Sequence, residues 1–333
     1  NTDGERFMFN YIPDMFASET ADSEEEADLW YTDKVNARRT PDLLPRDEVA
    51  RAIHAEVKAG RGSPSGGVYL DIASRRDSDY IKRRLPSMYH QFMELAGVDI
   101  TKDPMEVGPT AHYVMGGVKV DAETCATTVD GLYAAGEVAA GLHGSNRLGG
   151  NSLSDLLVFG QRAGFYAAEH ALAREFVNLD QAQSKEAVER ITAPLESDGN
   201  ENPYTIQSEL RELMQAQVGI IRNQADMESA LNTIHTLKER ALGVSAPGGT
   251  AYNPGWHTAL DLEHLLSMAE TTTLAALERK ESRGGHTRDD FPTASEEFGK
   301  VNVMAKYDES GGIVIQQQPL AEMPNDLKEL FED

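Results

Sequence analysis

The chain has 333 residues, 40% of them hydrophobic, with 31 basic against 55 acidic side chains and a formal charge of −24. That length exceeds what one core usually accommodates, so two or three domains are expected. A surface this acidic repels polyphosphate and anionic membranes, which argues against nucleic acid as a partner. No segment approaches the roughly 20 apolar residues of a membrane span. The single cysteine, Cys125, excludes an internal disulfide, a cysteine-rich zinc site and an iron–sulfur cluster held by this chain alone, and it fits a cytoplasmic setting.

The opening "NTDGERFMFN" has no initiator Met, basic n-region or apolar h-region, so it is not a signal peptide. It reads as a turn between short extended segments, the middle of a domain, and residues upstream are expected. Residues 18–28, "SETADSEEEAD", read as an acidic polar loop. A helix follows from about Asp47, with Val49, Ile53 and Val57 on one face. Val68–Ile72 is a short buried strand after "GRGSPSGG", and the segment around Pro86 is helical on both sides of a break. "HYVMGGVKVD" has the pattern of a strand–Gly-Gly–strand hairpin, with Val118 and Val120 alternating against Lys119 and Asp121. A turn at Asp130-Gly131 leads into a strand of small residues, and Ser154 to about Phe176 makes one long helix.

Beyond it the pattern is purely helical. Ile206, Leu210, Leu213, Met214, Val218 and Ile221 form a continuous apolar stripe. A further helix from about Trp256 carries Leu262, Leu265, Leu266, Ala269 and Leu277, and together these predict an antiparallel bundle. The tail reads as two strands around Gly311-Gly312.

The most informative stretch is "GLYAAGEVAAGLHGSNRLGGNSLSD", residues 131–155, with six glycines ahead of a helix. Gly149-Gly150-Asn151-Ser152 lets backbone approach a ligand, with Asn or Ser capping the helix near Leu153. The unpaired first N–H groups and the helix dipole then favour an anion or electron-rich heterocycle. A plain capped helix after a tight turn is the competing reading of these four residues. Arg147 is suited to two-point recognition of a carboxylate. Glu137, ending a small-residue strand, can accept from cofactor hydroxyls, as acids do in dinucleotide folds.

Taken with "AHYVMGGV", the sequences "TTVDGLYAAGE" and "GLHGSNRLGGNSLSDLLVFGQRAG" resemble the flavoprotein subunit of succinate dehydrogenase and fumarate reductase. The likeness is close over residues 111–165 and extends to "GERFM", "PRDEVARAI", "YLD" and "ESRGGHTRDDFP". It implies an α/β-plus-α fold, the C-terminal part of a two-dinucleotide-binding flavoprotein. The expected layout is the remainder of a capping domain over 1–108, the C-terminal part of the FAD-binding domain over 109–176, a helical bundle over 177–290 and a strand-containing tail over 291–333. No Gly-rich βαβ unit and no segment for covalent flavin attachment is found in this sequence.

The resemblance also implies roles. Arg46 of "PRDEV" matches the residue that transfers the proton, with Asp47 as a relay. His112 and Arg147 match substrate carboxylate ligands; Glu137, Ser152 and Leu153 match FAD contacts. His143 is expected to line the same site without an assigned role, and no metal site is expected. The implied reaction is FAD-dependent oxidation of succinate to fumarate, or its reverse. Electrons would leave through a separate iron–sulfur subunit, then through a membrane anchor to quinone, with this chain peripheral on the cytoplasmic face. The bundle and "RKESRGGHTR" are expected docking surfaces. L-Aspartate oxidase, a relative with a similar motif, and a non-catalytic scaffold are the alternatives.

Overall fold

The computed structural model describes residues 1–331, and the chain divides into two units, residues 1–113 and 114–333. In the first unit the helices are α1 (Asp14–Ala17), α2 (Glu24–Leu29), α3 (Arg46–Lys58), α4 (Ser78–Arg84) and α5 (Pro86–Gln91). Strands β1 (Val68–Leu70) and β2 (Met105–Val107) pair antiparallel, Val68 opposite Val107. Helix α3 lays Ile53 and Ala52 against Phe7, Met8, Leu44 and Val68, with Val49 and Val57 beside them. Its apolar spacing of four thus faces the core, as the pattern predicts. Pro86 separates α4 from α5, also as expected.

Two local readings are corrected here. Phe7–Tyr11 is a 3₁₀ turn that buries Phe7 and Met8, not an extended segment. The acidic stretch over residues 18–28 contains α2, started by Ser23 Oγ accepting from the Glu26 N–H at 3.3 Å. Three glutamates in its first turn suit the helix dipole. Arg38 binds Glu26 at 2.7 Å and Asp22 at 3.0 Å, while Ala21 and Ala27 are fully buried. Little apolar area is needed when an arginine clamps the turn.

A buried carboxylate organises this unit. Glu56, 1% exposed, accepts from Asn1 Nδ2 (2.8 Å), Tyr11 Oη (2.7 Å) and Arg61 Nη2 (2.6 Å). The Arg61 hydrogen bonds hold its pKa down at about 2, against the opposing effect of burial.

The second unit contains α6 (Asn151–Leu172), α7 (Gln181–Glu196), α8 (Pro203–Gln217), α9 (Gln224–Ala241), α10 (Pro254–Glu278) and α11 (Asn325–Lys328). Helices α8, α9 and α10 pack on one another through Ile206, Leu210, Ile234, Leu237, Leu262, Leu266 and Ala269. The apolar stripe is not carried by one helix, however. At Val218 the chain turns inward onto Met227, Ala230 and Ala276, and α9 restarts under an Asn223 cap that accepts from the Asp226 N–H at 2.9 Å. Strands β3 (Val301–Tyr307) and β4 (Ile313–Pro319) form the expected antiparallel pair and lie on α10.

The expected hairpin over residues 112–121 does not form. Val118 instead bridges in parallel to Ala139, its N–H 2.7 Å from Val138 O, and Ala140 N–H is 2.9 Å from Val118 O. A Cβ on Gly117 would lie 2.2 Å from Val138 O, so the Gly-Gly pair serves close approach to a distant segment rather than a turn. The small-residue strand after Asp130-Gly131 is likewise reduced, to an isolated Ala126–Tyr133 bridge and a 3₁₀ turn over Gly136–Val138.

Ile234 has no exposed surface, so Ile234→Ala should cost about 2–5 kcal/mol in urea unfolding. Leu242→Ala, at a residue 89% exposed, should change stability by less than about 0.5 kcal/mol.

Candidate functional site

Helix α6 is the spine of the candidate site in the second unit. It starts from Gly150, left-handed at φ 86°, with no side-chain cap, so neither Asn151 nor Ser152 caps it as the sequence suggests. A side chain at this φ would be strained, whereas an added Cβ at Gly149 or Gly150 would meet open space. The start of α6 therefore turns the positive end of its dipole toward whatever lies before it, although the Asn151 and Leu153 N–H groups already donate to Leu148 O (3.2 Å) and Gly150 O (3.3 Å). Ser152 is half-buried there and Leu153 is 68% exposed. Leu156, one turn on, packs against Gly136, where a Cβ would come within 2.6 Å of its Cδ2. That contact sets the 3₁₀ turn carrying Glu137 beside the helix start.

Glu137 Oε1 accepts from the Val114 N–H at 2.9 Å, so the acid anchors the "YVMGG" segment as well as facing outward. In the same stretches of chain Val114, Val138, Leu142 and Leu148 are exposed. This combination fits a flavin: apolar side chains for a flat ring, backbone donors for its electron-rich edge and a carboxylate for hydroxyls.

The glycine-rich loop between these elements is tied down twice. His143 Nε2 lies 3.4 Å from Asp155 Oδ2 of α6, both side chains nearly buried. Ser145 O accepts from the Gly285 N–H at 3.0 Å. Arg147, half-buried, donates from Nη1 to Leu148 O at 3.1 Å. Asp155 escapes a sequence reading because it sits inside the apolar run "SLSDLLVFG"; a lone acid there is the only available signal.

Arg46, Asp47 and His112 belong to the first unit. Arg46 opens α3 after Pro45, is exposed, and makes no hydrogen bond or ion pair among the described residues. Asp47 accepts from Arg51 at 3.2 Å, and Arg51 also binds Glu48 at 2.5 Å. His112 is exposed in an irregular segment. Among the described residues no group of side chains could hold a metal ion.

The segment "RKESRGGHTR" is not the open basic surface the sequence suggests. Glu281, with no exposed surface, binds Arg279 at 2.5 Å and Arg283 at 3.1 Å. Arg288, 1% exposed, donates to Ala276 O at 2.9 Å at the end of α10 and pairs with Asp290 at 2.6 Å. His286 Nδ1 lies 3.0 Å from Arg222 Nη1, and Nε2 3.0 Å from Arg279 O. A guanidinium only donates, so Nδ1 accepts and Nε2 carries the proton. The three arginines are engaged within the fold, each bound to an acid or a carbonyl, while Lys280 is exposed.

Comparison with known proteins gives the same picture of relationship. Residues 1–153 match the model of the FAD binding domain, and residues 207–329 that of the fumarate reductase flavoprotein C-terminus. The chain is 36% identical over 287 residues to the fumarate reductase flavoprotein subunit of Haemophilus influenzae, covering 84% of this chain and 48% of that protein. It is 33% identical over 305 residues to the succinate dehydrogenase flavoprotein subunit of Coxiella burnetii, covering 87% and 48%. Among solved structures, Mycobacterium smegmatis Sdh1 in complex with UQ1 superposes with TM-score 0.80 at 54% identity, covering 88% of this chain and 50% of that one. The E. coli quinol fumarate reductase protein FrdA gives 0.82 at 31% identity, covering 97% and 55%. The chain spans about half the length of the curated relatives it matches.

Burial first, then the charges of Arg222, Arg288 and Arg279, depress His286 from 6.5 to about 4, against the opposing hydrogen bond to Arg279 O. The unfolded chain therefore takes up a proton below pH 6.5 that the folded chain refuses until about 4, so stability falls as pH drops through that window. Glu56 and Asp290, both depressed to about 2, lose their contributions only below their ordinary values, 4.5 and 3.8. Urea unfolding should show a loss of about 2 kcal/mol between pH 7 and 4.5. His286→Gln, whose amide can accept from Arg222 and donate to Arg279 O, should flatten that slope while leaving the steeper acid limb.

Proposed function

The chain belongs to the family of succinate dehydrogenase and fumarate reductase flavoprotein subunits, its cofactor is FAD, and from that premise we propose that it interconverts succinate and fumarate. The observation that carries this reading is the uncapped, glycine-led start of α6 with Arg147 on the loop before it. Bound FAD supplies the acceptor for the hydride that leaves one methylene of succinate. Everything else is asked of the protein's own groups.

Arg147 and His112 bind the substrate carboxylates. A guanidinium offers paired N–H donors to the two oxygens, and its permanent charge offsets the cost of removing a dianion from water. Arg46 takes the proton from the methylene adjacent to the one that loses hydride, and returns it in the reverse direction. An arginine with pKa above about 12 can do this only as a relay, passing one proton on as it receives another. Asp47, on the next residue and ion-paired to Arg51, is the acid that drains the charge along α3. Ser152 and Leu153 present the helix start to the cofactor, whose added negative charge on reduction the dipole stabilises. Glu137 accepts from its hydroxyls.

The electrons leave through a separate iron–sulfur subunit, since this chain has one cysteine. In this reading the assembly reaches quinone through a membrane anchor, with the flavoprotein peripheral on the cytoplasmic face. No helix of the described residues is long and apolar enough to cross a membrane.

Arg46→Lys should retain flavin and dicarboxylate binding but lower kcat by at least about a thousandfold, since ammonium cannot reproduce the guanidinium relay geometry. Wild-type turnover in that variant would remove Arg46 from proton transfer. Arg147→Ala should raise the succinate KM by at least about a hundredfold with the flavin absorbance unchanged. Loss of flavin at unaltered KM would reassign Arg147 to the cofactor.

A further inference from the structure

We infer that the Gly284-Gly285 turn is a positioning element for Arg147, setting where the guanidinium meets a substrate carboxylate. This rests on the reading of Arg147 as a carboxylate ligand. The turn meets the Arg147 loop backbone to backbone at Ser145, two residues before the arginine. Gly285 N–H donates to Ser145 O at 3.0 Å. A Cβ on Gly284, at φ +58°, would lie 2.3 Å from Ser145 O, 2.6 Å from its carbonyl carbon and 2.7 Å from its Oγ. Only glycine allows this approach. A Cβ on Gly285 would lie 3.0 Å from the flexible end of Met115, so the turn also abuts the "YVMGG" segment.

What makes the contact consequential is the difference in stiffness on its two sides. The Arg147 loop has no regular structure between the 3₁₀ turn at Gly136–Val138 and Asn151, and Gly141 and Gly144 sit at positive φ within it. The Gly284-Gly285 turn is rigid: Arg283 N–H is 2.8 Å from His286 O, and His286 N–H is 3.1 Å from Arg283 O. On either side Arg283 is fixed to buried Glu281, and His286 is held between Arg222 and Arg279 O. The bundle's rigid end thus transmits its position to the loop, while His143 on Asp155 fixes the loop's other approach to α6. A binding guanidinium must be held to within ~0.5 Å of its productive place. Moving Ser145 O out to ordinary carbon–oxygen contact, ~3.3 Å or more, requires a shift of about 1 Å.

The test is made in the complete flavin-loaded protein, with malonate as probe. This dicarboxylate has a single methylene and so no neighbouring carbon to lose a proton. Gly284→Ala should raise the malonate Kd, read from the flavin absorbance change, and the succinate KM by about 10- to 100-fold. Flavin content should be unchanged and kcat within about threefold. Gly311→Ala has the same sign of φ, +83°, with nothing within 4 Å of the added Cβ, so it isolates backbone strain and should leave Kd unchanged. A merely structural role for Gly284 would lower the fraction of flavin-loaded molecules and leave Kd alone, which overturns the inference. If Gly284→Ala yields no flavin-loaded protein, Gly284→Asn decides, because asparagine tolerates the left-handed φ while keeping the Cβ that meets Ser145: a Kd raised about tenfold supports the positioning role, and a wild-type Kd overturns it. Arg147→Ala is measured alongside. A wild-type Kd there removes the carboxylate assignment and this inference with it. A raised Kd there, with wild-type values in both glycine variants, removes the positioning role alone.

Discussion

Glu281 has no exposed surface, yet it carries a charge in a chain already at −24, and that is tolerable only because Arg279, Arg283 and the Ser295 N–H surround it. An uncompensated carboxylate there would cost several kcal/mol or bind a proton. Much of the second unit is built outward from this neutralisation. Arg279 also donates to Phe298 O and Val301 O, tying β3 to the end of α10. Arg288 closes the last carbonyls of α10, an arrangement in which cation and helix dipole reinforce one another. Arg222, whose pKa burial lowers, reaches His286 from the break between α8 and α9. At the break in the apolar stripe, Arg222 Nε also donates to Val218 O at 3.0 Å, so one guanidinium closes the end of α8 and reaches His286.

The glycine-rich loop follows a different logic. It achieves its position largely through close backbone approach, as at Gly117 on Val138 and Gly284 on Ser145, with the Leu156 side chain packed on Gly136. Such contacts leave the faces of the loop and of the α6 start available to a ligand. They also explain why Leu148 and Leu153 are exposed in an otherwise ordered region. Apolar side chains next to a helix N-terminus without a side-chain cap suit a ring that is flat, largely apolar and electron-rich at one edge.

Much of this was legible in the residues themselves. Helix α3, the bundle helices, the break at Pro86 and the β3–β4 pair follow from periodicity and turn chemistry, because each buries one face against a near neighbour. The glycine motif was legible as the start of a helix, though not its lack of a side-chain cap. What misled was any residue with two physical uses. Gly116-Gly117 between alternating residues suits a hairpin turn and a close approach equally, and only the position of Val138 decides between them. The arginines of "RKESRGGHTR" look like a docking surface until Glu281, Asp290 and the α10 carbonyls are seen to consume them. Asp155 and His143 are twelve residues apart on different elements, so neither spacing nor composition pairs them. The roles of Arg46, Asp47 and His112 rest on resemblance, since their local surroundings are an exposed helix start and an irregular segment.

In the function proposed, the charge of the chain bears on how a dicarboxylate would be captured. A dianion approaching a surface of −24 meets repulsion, but at physiological salt that field decays over about 8 Å. Capture is therefore decided by the charges within a Debye length of the landing point. Most arginines cannot help: Arg6, Arg38, Arg61, Arg240, Arg279 and Arg288 are each bound to carboxylates of this chain. Arg46, outside that set, stands at an exposed helix N-terminus, where its charge adds to the helix dipole's positive end instead of being cancelled by it. That is unfavourable for the helix, because the first turn prefers anions. Asp47 and Glu48 offset it, and both are tied to Arg51 one turn on. In the function proposed, that leaves Arg46 held by no carboxylate among the described residues and open to exchange a proton.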